Sequence, residues 1–127
     1  MSDADILYIE DNLGNQMLVK RILEVEGYTV RIAEDGPTGL DMAAQKPPDL
    51  ILLDINLPEI DGYDLAQRLR QSSTMDGVPI LAVTANVMKG DRERTLEAGC
   101  DGYIQKPIDV DRLPDQVKEA LEKGRGA

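Results

Sequence analysis

Short apolar runs alternate with segments of helical period along the whole chain. Ile6-Leu7-Tyr8-Ile9 is a continuous run of strand length, the pattern of a strand buried on both faces. From Asn12 to Glu26 the apolar residues Leu18, Ile22 and Val25 recur at i, i+4 and i+7. That spacing predicts an amphipathic helix with those three on its core face, ended by Gly27. Tyr28 to Ala33 is rich in β-forming residues and stops at the turn pair Asp35-Gly36. Pro37 suits the first turn of the next helix, which runs to about Gln45 and is broken by Pro47-Pro48.

The cycle then repeats. Asp49 to Asp54 is the most hydrophobic strand, and Asn56 to Gly62 is a loop punctuated by Pro58 and Gly62. Tyr63 to Gln71 reads as a helix and Ser72 to Gly77 as a polar loop. Pro79 to Thr84 is a fourth strand, followed by a helix from about Asn86 to Ala98. Asp101-Gly102 turns into the fifth strand, Tyr103-Ile104-Gln105. The last helix takes Asp111 as its N-cap, tolerates Pro114 in its first turn and carries Leu113, Val117 and Leu121 as a core stripe. The tail from Lys123 to Ala127 is expected to fray. Five βα units without internal repeat predict an α/β fold, a doubly wound parallel sheet forming one domain over residues 1–127, with its core at about 5–123.

Ligands of such sheets bind outside the carboxyl ends of the strands, and those ends carry the chemistry here. Glu10 and Asp11 close the first strand, Asp54 the third, Thr84 the fourth and Lys106 the fifth. Three carboxylates so gathered repel one another and raise at least one pKa. A hard divalent cation removes the conflict: Mg²⁺ accepts one or two protein carboxylates, waters and a phosphoryl oxygen. The backbone carbonyl of Asn56, just beyond Asp54, is placed to complete the shell. Asp54 is also a candidate nucleophile for an aspartyl-phosphate, with Lys106 and Thr84 to meet charge on the phosphoryl oxygens.

Composition narrows the partners. The net charge of -10 argues against nucleic acid, whose binding needs basic patches, and against an anionic membrane surface. No apolar run approaches the ~20 residues of a membrane span, and the acidic start, Met1 to Asp5, is unlike a signal peptide. Lone Cys100 makes no internal disulfide and reads as a small packed side chain in a reducing, cytoplasmic protein. With Phe and Trp absent, the core falls to Leu, Ile, Val, Ala and Met; Met17, Met42 and Met75 read as core or rim packing.

Glu10-Asp11-Asn12, the stretch Asp54 to Gly62, Thr84-Ala85-Asn86 and Lys106-Pro107 resemble the receiver domain of bacterial two-component response regulators. The likeness runs through essentially the whole chain in order. Within the family, Met88 to Arg94 and Ala98 to Tyr103 are similar to DivK-type stand-alone regulators and to receivers of hybrid histidine kinases. The resemblance implies the flavodoxin-like, CheY-like strand order 2-1-3-4-5 with five helices. It implies Asp54 as phosphoacceptor, charged from a phosphohistidine on a histidine kinase or phosphotransfer protein. Glu10, Asp11 and the Asn56 carbonyl match the Mg²⁺ ligands, Thr84 and Lys106 the phosphoryl contacts, Pro107 a cis-proline, and Tyr103 the aromatic switch. Asn56 and Asn86 occupy the positions that tune hydrolysis, and two small amides there imply an intermediate lifetime. Ile108 stands where the family often has Phe, so packing beneath the last helix is expected to be aliphatic.

The expected role is a signalling module whose output surface, on the fourth helix, fifth strand and last helix, includes Ala85, Met88, Tyr103 and Ile108. Its partner there is a downstream protein, and the chain is expected to be a monomer or a weak, phosphorylation-linked dimer. It catalyses only its own Asp phosphorylation and dephosphorylation. The charged run from Lys89 to Glu97 reads as a solvated helix face, lightly anchored. Taken singly, each site residue has a plainer reading: Asp11 or Asn12 as a helix cap, Thr84 or Asn86 likewise, Lys106 as a surface charge. A phosphohydrolase with an Asp nucleophile needs a second acid where Asn56 stands. A nucleotide or flavin module needs a Gly-rich loop, and Glu10 to Asn15 has one glycine. A phosphorylation-independent scaffold of the same fold would not need the five-residue site.

Overall fold

Five strands, β1 (Asp5–Ile9), β2 (Thr29–Ala33), β3 (Leu50–Asp54), β4 (Ile80–Thr84) and β5 (Gly102–Gln105), alternate with five helices in the computed structural model. The helices are α1 (Leu13–Val25), α2 (Gly36–Gln45), α3 (Gly62–Arg70), α4 (Lys89–Glu97) and α5 (Leu113–Lys123). The structure describes residues 4–57, 61–85 and 89–123. Every strand pairing is parallel, in the order β2-β1-β3-β4-β5, so the expected architecture is the one observed. No helix among the described residues is long and apolar enough to cross a membrane.

The pleat sends alternate residues to opposite faces, and the core divides accordingly. Ile6, Tyr8, Leu50, Leu52, Leu81, Val83 and Ile104 pack with Val19 and Leu23 of α1 and Leu113 and Val117 of α5. Leu7, Ile9, Ile51, Leu53, Ile80 and Ala82 face the other way, toward Ala43 of α2, Leu65 and Leu69 of α3, and Ala98. Both sheet faces are covered, which is why the central strands are apolar on both faces except at their ends, Asp5, Asp54 and Thr84.

Side-chain caps set the helix starts. Asn12 accepts from the Asn15 amide at 2.9 Å, Asp35 from Thr38 at 2.8 Å and Asp61 from Tyr63 at 3.0 Å. At the end of α1, Gly27 turns the chain at φ 95, a left-handed conformation that glycine adopts freely.

Three expectations are corrected. The buried face of α1 is Gln16, Val19 and Leu23, while Ile22 is half-buried, Leu18 is 39% exposed and Val25 79% exposed. The real stripe begins on a glutamine whose amide finds a partner at the Glu10 carbonyl (2.6 Å), so hydrophobicity alone chose the wrong face. At α5 it is Asp109, not Asp111, whose carboxylate accepts from the amides of Asp111 (3.0 Å) and Arg112 (3.3 Å). Within the polar loop from Ser72 to Gly77, a 3-10 turn spans Ser73–Met75 and buries Met75; Met17, by contrast, is exposed and Met42 partly buried. The core stripe of Leu113, Val117 and Leu121 is present, and Cys100 is packed and buried, its thiol pushed up to about 12 by burial. Pro58, the start of the fourth helix at Asn86, and residues 124–127 of the expected tail lie outside the described residues.

The amino rim of the sheet is tied by arginine. Arg70 of α3 donates to the carbonyls of Gly99 (2.8 Å), Met75 (3.2 Å) and Val78 (2.7 Å) and pairs with Asp101. Asp101 also accepts from the Ile80 amide at 2.9 Å. One planar donor thus joins α3 to the starts of β4 and β5.

Gly62 permits the return of the chain after β3. A Cβ there would lie 2.4 Å from Ile55 Cα and 2.7 Å from its carbonyl oxygen, backbone that cannot step aside as a side chain would. Gly62→Ala is therefore expected to destabilise the fold by about 2 kcal/mol, read as a lower urea midpoint at unchanged m-value.

Candidate functional site

Strand parity decides which side chains meet at the carboxyl rim. Glu10 continues β1, its amide bonded to the Ala33 carbonyl at 2.9 Å, and Lys106 continues β5, its amide on the Thr84 carbonyl at 2.8 Å. Glu10 follows Ile6 and Tyr8, Asp54 follows Leu50 and Leu52, and Lys106 follows Ile104, all on the α1–α5 face. Because β1 and β3 are neighbours, Glu10 and Asp54 come together. Ligand oxygens of Glu10, Asp11 and Asp54 lie within 4.8 Å of one another. Lys106 Nζ stands 3.1 Å from Asp54 Oδ1 and 3.6 Å from Glu10 Oε1.

Burial makes this crowding costly. Glu10 is 0% and Asp54 2% exposed, whereas Asp11 faces solvent. Loss of hydration and the Asp54 carboxylate beside it hold the Glu10 pKa above the ordinary glutamate value, opposed by Asn15 and Lys106. Glu10 Oε1 accepts from Tyr8 Oη at 3.0 Å and from Asn15 Nδ2 at 2.9 Å. Glu10 Oε2 is buried without a hydrogen-bond partner. An orphaned carboxylate oxygen amid three acids is what a cation would satisfy, so the donor set fits a hard divalent metal.

Asp54 Oδ1 accepts from the Asn56 amide at 2.9 Å, which turns the chain just past β3 beside the acids. Thr84 ends β4 and is buried. By parity it follows Ile80 and Ala82, so it shares the α2–α3 face with Tyr103, which packs half-buried against that cluster. The Lys106–Pro107 bond is cis, as expected. Ala85 and Ile108 line a shallow hollow with Asn15, Leu18, Lys106 and Pro107, and Ile108 packs on the aliphatic cluster beneath α5. Asn86 and Met88 lie outside the described residues.

Three residues around Glu10 escaped the sequence reading: Tyr8, Asn15 and Gln16. Tyr8 carried a signal. It is the one hydroxyl-bearing residue in an otherwise aliphatic run, and a buried phenol needs a partner. Its pKa is raised, chiefly by burial and then by Glu10. Asn15 and Gln16 carried none, since both read as the solvated side of α1.

Comparison with known proteins agrees with this geometry. Residues 6–118 match the response regulator receiver domain. The chain is 40% identical over 116 residues to the polar-differentiation response regulator DivK of Brucella anthropi, covering 91% of this chain and 94% of that protein. The receiver domain of a sensor histidine kinase from Pseudomonas aeruginosa, solved with a magnesium ion coordinated in its active site cleft, superposes with a TM-score of 0.86. It is 35% identical, over 95% of this chain and 99% of that one. A CheY-like receiver domain protein from Methanospirillum hungatei superposes with a TM-score of 0.87 at 32% identity, over 96% of each chain. Sequence and fold thus agree along nearly the full sheet, and the chain belongs to the response regulator receiver family, the signalling modules of two-component systems.

Proposed function

We propose that Asp54 is the phosphoacceptor of this receiver, with Mg²⁺ held by Glu10, Asp11, Asp54 and the backbone carbonyl of Asn56. The observation that carries this reading is the Lys106 ammonium at 3.1 Å from an Asp54 carboxylate that is itself grouped with two more acids. The donor is a phosphohistidine on a histidine kinase or phosphotransfer protein. An Asp54 oxygen attacks phosphorus; the new O–P bond forms as the N–P bond breaks, and the electron pair leaves on the ring nitrogen. Bound Mg²⁺ supplies positive charge against the acids and the phosphoryl oxygens. Lys106 supplies more from the protein itself, without rearrangement of the strand that carries it.

Phosphorylation adds about -1.5 to -2 charge at a rim already rich in acid. Thr84 and Lys106 then contact the phosphoryl oxygens, and Tyr103, on the Thr84 face, follows inward. That biases a pre-existing two-state equilibrium of the surface formed by α4, β5 and α5, where Ala85, Met88, Tyr103 and Ile108 meet a downstream protein. Asn56 and Asn86 flank the path of the hydrolytic water and give the acyl phosphate an intermediate lifetime. Residues 1–127 act as one receiver unit on one sheet, catalysing only its own phosphorylation and dephosphorylation. We place it in the cytoplasm as a monomer, or a weak dimer once phosphorylated, with no part in binding nucleic acid or membrane.

Intact mass after incubation with acetyl phosphate tests the assignment. A single Mg²⁺-dependent phosphoryl adduct is expected on the wild type and none on Asp54→Asn; an adduct that survives the mutation would sink the reading. A second expectation concerns pH in the metal-free protein. Because the Glu10 pKa is raised on folding, the folded state binds the extra proton, and this contribution to stability is present below the unfolded pKa and lost as pH rises through the folded one. In EDTA, therefore, the urea midpoint should fall as pH rises above the ordinary glutamate range. Glu10→Gln should flatten that fall, and in the wild type Mg²⁺ should reverse it.

A further inference from the structure

We propose that Tyr8 and Asn15 clamp one oxygen of Glu10, leaving the carboxylate a single oxygen to offer a cation, and that this clamp sets the site's preference for magnesium over calcium. The inference rests on the magnesium reading above and concerns residues outside the acid cluster. Glu10 Oε1 takes the Tyr8 hydroxyl at 3.0 Å and the Asn15 side-chain amide at 2.9 Å, and Lys106 Nζ lies 3.6 Å from the same oxygen. Two hydrogen bonds occupy both lone pairs of that oxygen. Glu10 Oε2 is equally buried and has none. The two oxygens of one carboxylate are thus given different work: one is tied to the protein and the other is left for a ligand.

The clamp is stiff at each end. Tyr8 is fully buried in β1, its ring within the cluster of Val19, Leu23 and Leu52, so its hydroxyl is fixed relative to the sheet. Asn15 sits in the first turn of α1, its own amide held by the Asn12 cap. Gln16, the next residue, donates to the Glu10 carbonyl at 2.6 Å. Backbone and carboxylate of Glu10 are therefore held by the same helical turn. Glutamate has one more rotatable bond than aspartate, and the clamp removes that freedom.

Such an arrangement discriminates between cations. Mg²⁺ requires near-octahedral single-oxygen contacts at short range, whereas Ca²⁺ takes more ligands, often both oxygens of one carboxylate. Bidentate binding by Glu10 would break the bonds to Tyr8 and Asn15. Groups that hold a metal ligand in this way commonly change affinity by tenfold or more when removed.

The test is calorimetric titration of the full chain with Mg²⁺ and, separately, Ca²⁺, for wild type, Tyr8→Phe and Asn15→Ala. The ratio of the calcium Kd to the magnesium Kd is expected to fall about tenfold in Tyr8→Phe, and in the same direction in Asn15→Ala. A general loosening of the fold weakens both ions together and leaves the ratio alone. A ratio unchanged in Tyr8→Phe, or in Asn15→Ala should the first variant not fold, overturns the clamp while leaving the magnesium reading intact. A wild type that binds no Mg²⁺ overturns both.

Discussion

A buried carboxylate beside a second buried carboxylate is the constraint around which this rim is built. Glu10 and Asp54 are almost wholly withdrawn from water, and each would be costly alone. Parallel pairing of β1 with β3 makes their meeting unavoidable once both close their strands on the same face. The chain meets the cost with groups drawn from four elements. Lys106 comes from the end of β5, Tyr8 from within β1, Asn15 from the first turn of α1 and the Asn56 amide from just beyond β3. None of these cancels the charge, since the acids exceed the ammonium by two. The excess makes the rim receptive to a divalent ion, because the folded chain already bears the electrostatic cost that binding removes.

Most of the fold was legible because its signal is periodic and redundant. Five apolar runs and five helical segments survive an error in any one position, and the rule for the carboxyl ends of strands then gathers Glu10, Asp11, Asp54 and Lys106 without any contact being known. The failures share a physical origin. The face of α1 was misread because a buried Gln16 is polar by composition but satisfied by geometry, while exposed Leu18 and Val25 are apolar by composition. Asp109 and Asp111 are both good caps in sequence, and only the path of the backbone, which brings the amides of Asp111 and Arg112 to the Asp109 carboxylate, decides between them. Tyr8 and Asn15 were missed for the same reason as Gln16: a polar side chain whose partner lies on another element leaves no periodic trace.

The two rims of the sheet are opposite in character. At the amino rim, charge is matched to partners. Arg70 joins Asp101 and three carbonyls, and Arg31 of β2 donates to Asp5 at 3.0 Å and to the Lys46 carbonyl at 2.7 Å. Most of these bonds are half-buried, and they link successive units, so they resist separation of the strands. Among the described residues, each rim holds one buried carboxylate oxygen without a hydrogen bond. Asp5 Oδ2 at the amino rim is ion-paired with Arg31 at 2.9 Å, while at the carboxyl rim Glu10 Oε2 lies where like charges face one another. Stability and reactivity are thereby divided between the ends of the same strands.

The position of α4 follows from that division. Its described residues bury Thr95, and Ala98 just beyond its end, but leave Leu96 exposed. Among the described residues, Arg94 ties it to α3: its guanidinium lies 4.3 Å over the Tyr63 ring and 3.3 Å from Asp61, in exposed surroundings. An exposed pair of this kind contributes less than about 1 kcal/mol. Asp61 is also the cap of α3, so this weak contact joins α4 to the segment that leaves the acid rim. The phosphorylation proposed at Asp54 would add charge where acids already repel one another, and the described residues of α4 bury only Thr95. The arginine-tied amino rim holds the strands in register independently of that contact. Local opening at so weak a contact requires less free energy than unfolding the sheet, so the switching proposed above can leave the five strands intact.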